Sequence, residues 1–203
     1  MTEVEQEPRW RRLGPDARRN EIMAAAIRLF GERPYGDVSI AEIANEAGVA
    51  RALVNHYCGT KRELYLKVVR LMVTPPRAEE FAIPARGSLD ERVDLAVEWL
   101  LTVIEGYGVT WVRITGAEGV GADPEVQKVI DDADHRTADL VLDAVGYTGT
   151  AAQRQQAHIA VVCFGSLVKA VAREWIERKS ISREQAYAML STTLRALLHN
   201  RGE

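Results

Sequence analysis

The stretch Ser39-Ile40-Ala41-Glu42-Ile43-Ala44-Asn45-Glu46-Ala47-Gly48-Val49-Ala50-Arg51-Ala52-Leu53-Val54-Asn55-His56-Tyr57-Cys58-Gly59-Thr60-Lys61 decides how this chain folds. Ser39 can cap a short helix over 40–47, with Ile40, Ile43, Ala44 and Ala47 on its inner face. Gly48 stops that helix, because glycine enters the left-handed conformation at little cost. A second short helix follows over about 50–57. Ala44, Val49 and Val54 are placed to pack the crossing. The second helix then turns its polar face outward, as a helix-turn-helix presents a reading helix to a major groove. Arg51 and Asn55 are four residues apart and share that face. Arginine suits the O6/N7 edge of guanine and asparagine the N6/N7 edge of adenine. Val54 and Cys58 form the inward pair, while His56, Tyr57 and Lys61 lie where a strand backbone would pass. Any two short helices with a glycine between them give a similar pattern, so the flanking sequence has to discriminate.

Upstream, Ile22, Ala26, Leu29 and Phe30 fall on one helical face, and Gly31 and Pro34 end that helix. Downstream, Thr60-Lys61-Arg62-Glu63 is a capping box that opens a longer helix, punctuated by Pro75-Pro76. The remainder also reads as helical. Ser88 to Glu91 opens a helix with Val93, Ala96, Leu100 and Val103 inward, broken by Gly106 and Gly108. A short helix is expected over 111–117, then a loop containing Gly116, Gly119 and Gly121. Asp123-Pro124 opens a helix running to about Val145. A long helix spans 150–179, and Ser182 to Gln185 opens the last one, striped by Leu190, Leu194, Leu197 and Leu198. The fold class is therefore all-α.

Composition agrees with a globular chain. At 203 residues it can bury a sizeable core without a metal or disulfide staple. Cys58 and Cys163 make neither a disulfide framework nor a zinc quartet, and are expected to be reduced and buried. No uninterrupted apolar run reaches membrane-span length, and the charged N-terminus has no apolar secretory core, so a cytoplasmic protein without a membrane partner is expected. The net charge of -3 hides an asymmetry. Residues 1–75 carry a net +2 and residues 76–203 a net -5. Seven arginines fall within 8–33. A basic arm of this kind can bind phosphate, although a solvated terminus accounts for the same charges.

Over residues 19–69 the chain resembles the TetR family of one-component transcriptional regulators. The resemblance is carried by Arg19, Ile22, Ala25, Leu29 and Phe30, then Ser39, Ile43-Ala44, Ala47-Gly48-Val49, His56, Lys61 and Glu63-Leu64. The chain departs from the family's usual pattern at Pro34, Ala50, Leu53, Val54-Asn55 and Cys58. Ala50 lacks the side-chain cap a serine would supply, a local loss of about 1 kcal/mol. The resemblance implies an N-terminal three-helix domain with a helix-turn-helix and a larger C-terminal helical domain for ligand binding and dimerisation. The corresponding division is a basic arm over 1–14, a DNA-binding domain over 15–60, a connecting helix over 61–76, and an effector and dimerisation domain over 77–203. Ser39, Arg51, Ala52, Asn55, His56, Tyr57 and Lys61 are the expected contacts to a double-stranded, near-palindromic DNA operator.

The resemblance further implies a repressor that a small-molecule effector releases from DNA, and a homodimer formed through the last two helices. The sequence supports the dimer independently. The 150–179 helix is apolar nearly all round, through Ile159, Val162, Phe164, Leu167, Val168, Val171 and Trp175, and Gly165 would admit a close partner helix. Trp99, Val103, Tyr107, Trp111 and Phe164 are the candidate effector lining, which suits a largely apolar ligand. Taken residue by residue, they read more simply as an ordinary core.

No cofactor and no catalytic residue is expected. Asp131, Asp132 and His135 could share a helix face with a metal, but they read more simply as a solvated acidic face. His158 and His199 have no partners in the sequence that make a site. Gly116 to Gly121 lacks the Gly-Lys-Ser/Thr of a phosphate loop. A second reading stays open: a helical protein-interaction module, or a small-molecule-binding protein without sequence-specific DNA binding. Steep salt dependence would mark the DNA reading.

Overall fold

The computed structural model describes residues 15–74, 83, 86–115 and 123–199. The elements are α1 (Pro15–Glu32), a 3-10 turn (Tyr35–Asp37), α2 (Ile40–Glu46), α3 (Arg51–Cys58), α4 (Lys61–Val73), α5 (Leu89–Thr115), α6 (Pro124–Ala144), α7 (Ala151–Ala172), one π-helical turn (Arg173–Glu177) and α8 (Arg183–His199). No strand occurs among the described residues. The basic arm over 1–14, Pro75-Pro76 and the glycine loop from Gly116 to Gly121 lie outside them.

Local chemistry accounts for most helix starts. Ser39, Thr60 and Thr150 each close a capping box with Glu42, Glu63 and Gln153. Ser88 and Ser182 exchange the same pair of hydrogen bonds with Glu91 and Gln185. Asp123 Oδ1 accepts from the backbone N–H groups of Glu125 and Val126, ahead of Pro124 in the first turn.

Two apolar clusters form the core. The first joins Ile22, Ala26 and Phe30 of α1, Ile43 and Ala44 of α2, Val54 and Cys58 of α3, and Leu64, Val68 and Val69 of α4. Ile114 of α5 and Val126 and Ile130 of α6 belong to the same cluster. The second joins the rest of α5 and α6 to α7, the π turn and α8, around Leu101, Leu142, Phe164, Trp175, Leu190 and Leu194. The helix expected as a connector, α4, is thus packed into the first cluster along its length.

Several expectations need correction. Gly31 does not end α1, which continues through Glu32. It sits where α1 meets α5: a Cβ there would lie 2.5 Å from Thr110 Oγ1, so a smaller residue than alanine is required. The expected break in α5 falls at Gly108, whose φ of 57° and ψ of -142° are non-helical; two helical segments meet there and the second runs to Thr115, while Gly106 remains helical. The long helix does not reach 179. At Ala172 it passes into a π turn, in which the Arg178 N–H donates to Arg173 O at 3.0 Å. That turn buries both Trp175 and Ile176 and aims Glu177 at α5.

Cys58 is buried as expected, but Cys163 is exposed. Gly165 faces Asp134 of α6 rather than outward, so it does not supply a close-approach site for another chain. Within one chain α7 has a buried side and an open one: Ile159 is 53% exposed, with Cys163, Ser166 and Ala170 also exposed. By length and composition α5 is long and apolar enough to cross a membrane, although charged residues interrupt its apolar run. Its Val93, Val97, Leu101 and Ile104 are spent on the second cluster.

Candidate nucleic-acid interface and effector cavity

The helix-turn-helix is built by short-range bonds. Ser39 Oγ accepts from the Glu42 N–H at 3.2 Å, and the Glu42 carboxylate accepts from the Ser39 N–H at 2.8 Å. Arg33 adds a 2.8 Å ion pair to Glu42. The Ser39 and Arg33 hydrogen bonds hold the Glu42 carboxyl at a pKa of about 2. Gly48 takes φ 63°, and the Val49 N–H reaches back to Ala44 O at 2.9 Å. Ala50 begins α3 without a side-chain cap. Gly59, at φ 82°, turns the chain out of α3, and Lys67 Nζ donates to the Cys58 carbonyl at 3.0 Å. Val54 and Cys58 anchor α3 in the core at 0% and 1% exposure, and burial pushes the Cys58 thiol pKa up.

With that face fixed, Arg51, Ala52, Asn55 and His56 are all exposed on α3, and Ser39 is exposed at the start of α2. Tyr57 is half-buried, its ring edge-on to His56 with centroids 5.0 Å apart. Lys61 is steadied over the Tyr35 ring at 4.2 Å, with Nζ 3.5 Å from Gly36 O. The seven residues expected at DNA therefore lie on the α2–α3–α4 surface. Tyr35, which positions Lys61, is absent from the sequence reading because its contact bridges 26 residues with no local signature. Glu46, the acidic residue at the end of α2, is paired with Arg28 at 2.6 Å.

A cavity of about 680 Å³ lies between the helices of the second cluster. All five residues expected at an effector, Trp99, Val103, Tyr107, Trp111 and Phe164, line it. Leu71 to Thr74 of α4 close one side, and Leu71 and Tyr107 are each 53% exposed at its rim. The sequence reading did not find two polar residues in the wall, Asp134 of α6 and Lys169 of α7, which pair at 2.5 Å. Their separation of 35 residues hides the pairing until the helices pack.

Ion pairs join the cavity helices to the helix-turn-helix. Arg62 of α4 bonds Asp123 at 2.7 and 2.9 Å and pairs with Glu125 at 2.9 Å. These hydrogen bonds raise the Arg62 pKa and, from the other side, hold Asp123 at about 2. Arg113 of α5 donates to the carbonyls of Gly31 and Glu32, and to Glu177 at 3.1 Å. It satisfies carbonyls left open at the end of α1.

His135 and His158 meet at 2.9 Å across α6 and α7, and His158 also bonds Asp139. His199 pairs with Asp90 at 2.6 Å. Asp131 instead accepts from Gln127, and Asp132 pairs with Lys128. Among the described residues, no group of three His, Cys, Asp or Glu could hold a metal ion.

Residues 22–68 match the family described as bacterial regulatory proteins, tetR family. Over 70 residues the chain is 44% identical to the HTH-type transcriptional regulator BetI of Brucella canis, covering 34% of this chain and 31% of that one. It is 51% identical over 53 residues to the BetI of Brucella anthropi, covering 26% of this chain and 27% of the relative. The matches thus span less than a third of each relative's length. Whole-chain likeness comes from folds. A tetR-family transcriptional regulator from Streptomyces coelicolor superposes with a TM-score of 0.73 at 24% identity, over 93% of this chain and 83% of that one. The transcriptional regulator FadR from Bacillus subtilis, in complex with stearoyl-CoA, gives 0.63 at 16% identity, over 88% and 97%. Residues 22–68 of this chain thus match the DNA-binding segment of the tetR family, and its helical fold as a whole is that of the tetR-family regulator from Streptomyces coelicolor.

Proposed function

We propose that the chain is a ligand-responsive DNA-binding transcriptional regulator, acting in the cytoplasm as a homodimeric repressor on a near-palindromic operator. The observation that carries this reading is the span of α4. Its first residue, Lys61, lies on the surface proposed to face DNA, and its last turn, Leu71 to Val73, walls the cavity. A body that fills the cavity pushes one end of the rod whose other end carries the reading head. Arg62 clamps that rod to α6, so α4 and α6 respond together. To empty an operator, the effector must favour the non-binding spacing of the two reading helices by about 3–5 kcal/mol.

The dimer is supported by the stripe of Ile159, Cys163 and Ala170 on α7 together with Met189, Thr192 and Ala196 on α8, all exposed in the single chain. Two such helix pairs would pack as a four-helix bundle and set the α3 helices about one DNA turn, or a multiple, apart. The effector read from Trp99, Val103, Tyr107, Trp111 and Phe164 is small and largely apolar.

Selection of bound fragments from sheared genomic DNA at near-physiological salt tests the reading. Enrichment of a near-palindrome with half-sites one turn or so apart is expected, and compounds that fill the cavity should lower its occupancy. Weak binding to all fragments alike, with no enrichment from ligand-stripped protein, would overturn it. A cavity ligand that leaves operator affinity unchanged at saturation would remove the regulatory half.

A further inference from the structure

The lining includes a charged pair in otherwise mostly apolar surroundings. Asp134 Oδ2 and Lys169 Nζ meet at 2.5 Å, with their side chains only 23% and 20% exposed. The pair is electrically balanced, yet its hydrogen-bonding capacity is not used up. An ammonium has three N–H donors, and a carboxylate has lone pairs on both oxygens. Asp134 Oδ1, the carboxylate oxygen not paired with Lys169, lies 3.9 Å from where a Cβ on Gly165 would stand, and both residues line the cavity. Thr137, one turn further along α6, lines the same wall.

A ligand carrying a net charge fits this arrangement poorly. A carboxylate would compete with Asp134 for Lys169 and repel it. An ammonium would do the converse at Asp134. Either leaves one charge without a partner in an apolar enclosure, which is costly. A neutral group that both donates and accepts can join the pair without unbalancing it.

We propose that the effector is an uncharged amphipathic molecule, whose polar head accepts a hydrogen bond from Lys169 and donates one to Asp134. A primary amide is the simplest such head. Its apolar body lies against Trp99, Trp111 and Phe164. This rests on the reading of the cavity as the effector site. The head also enters between α6 and α7, so binding loads the helix whose N-terminus is clamped by Arg62.

Isothermal titration of the full chain with decanamide, decanoate and decylammonium tests the assignment. These probes share a tail and differ in the charge of the head. The wild type should bind decanamide at least about tenfold tighter than either ion. Asp134→Asn, which leaves Lys169 charged, should raise decanoate affinity about tenfold, and Lys169→Gln should do the same for decylammonium. Thermal melts establish that each variant folds, and the wild-type order decides alone if one does not. Ions that bind the wild type as well as the amide, or an order that neither variant changes, would overturn the neutral-head assignment and leave the cavity as effector site. No binding of any probe to any form would overturn that reading of the cavity, and the proposal with it.

Discussion

Arg51 and Lys61 are both basic and both face the same surface, but they are expected to do different work. Arg51 is exposed on α3, as is Asn55, and in the proposed reading it meets base edges. Arg51→Ala should cost about 1–3 kcal/mol on the cognate operator and much less on scrambled DNA. Equal losses on both in anisotropy titrations would remove the base-reading role. Lys61 is held on the Tyr35 ring at the start of α4, where it can meet a phosphate. Lys61→Ala should weaken all sequences alike and flatten the slope of log affinity against log salt by about 1. Glu42 gives a pH prediction. Its folded pKa of about 2 lies below the ordinary carboxylate value, so its contribution is fully present above the unfolded pKa of about 4.3. It is lost as pH falls towards 2. Glu42→Gln should therefore flatten the acid limb of stability between about pH 4 and 2, measured by denaturant melts at stepped pH.

Among the helices, α4 holds the central place. It packs its Leu64, Val68 and Val69 in the helix-turn-helix core and gives its last turn to the cavity. Packing alone would let α6 slide along it, and the Arg62 pairs to Asp123 and Glu125 oppose that. Arg62→Ala should leave operator affinity without ligand nearly unchanged while reducing the ligand-induced loss by about 1–2 kcal/mol. Matched DNA titrations with and without saturating ligand check this; an unaltered ligand response would sink the clamp. Asp123 is held at about 2, so the clamp stays charged at neutral pH and opens only in strong acid. The local parts of this arrangement are legible in the sequence: Thr60-x-x-Glu63 and Asp123-Pro124 announce where α4 and α6 begin. The clamp is not, because Arg62 and Asp123 are 61 residues apart and nothing in either neighbourhood names the other.

At the scale of the whole molecule, apart from Leu71 and Tyr107 at the cavity rim and Leu95 on α5, α7 and α8 each leave a large apolar side chain open, Ile159 at 53% and Met189 at 47% exposure. A charge there should stay solvated in a single chain but meet its own copy across a two-fold interface. Ile159→Glu should shift the protein from dimer to monomer in sedimentation equilibrium and abolish tight operator binding, with the helical circular dichroism unchanged. A variant that remains dimeric would place the interface elsewhere. Within the single chain, Phe164 and Val168 turn one side of α7 to the cavity and the core, Gly165 opens towards Asp134, and the side through Ile159 is left exposed.

Helices, caps, turns and the inward faces of α2 and α3 follow from interactions between residues three or four apart, which the order of amino acids states directly. That is why the helix-turn-helix and the outward placement of Arg51 and Asn55 are legible in the sequence. The same reading places the break at Gly108 but misses the π turn, since the packing of Trp175 and Ile176 carries the helix on past Ala172 with no local signal in the sequence. It fails more completely where function depends on distant partners. The Asp134–Lys169 pair, the Arg62 clamp, the Tyr35 platform under Lys61 and the Arg113 bonds to the end of α1 arise only when separate helices pack, because each joins groups whose spacing along the chain has no relation to their distance in space.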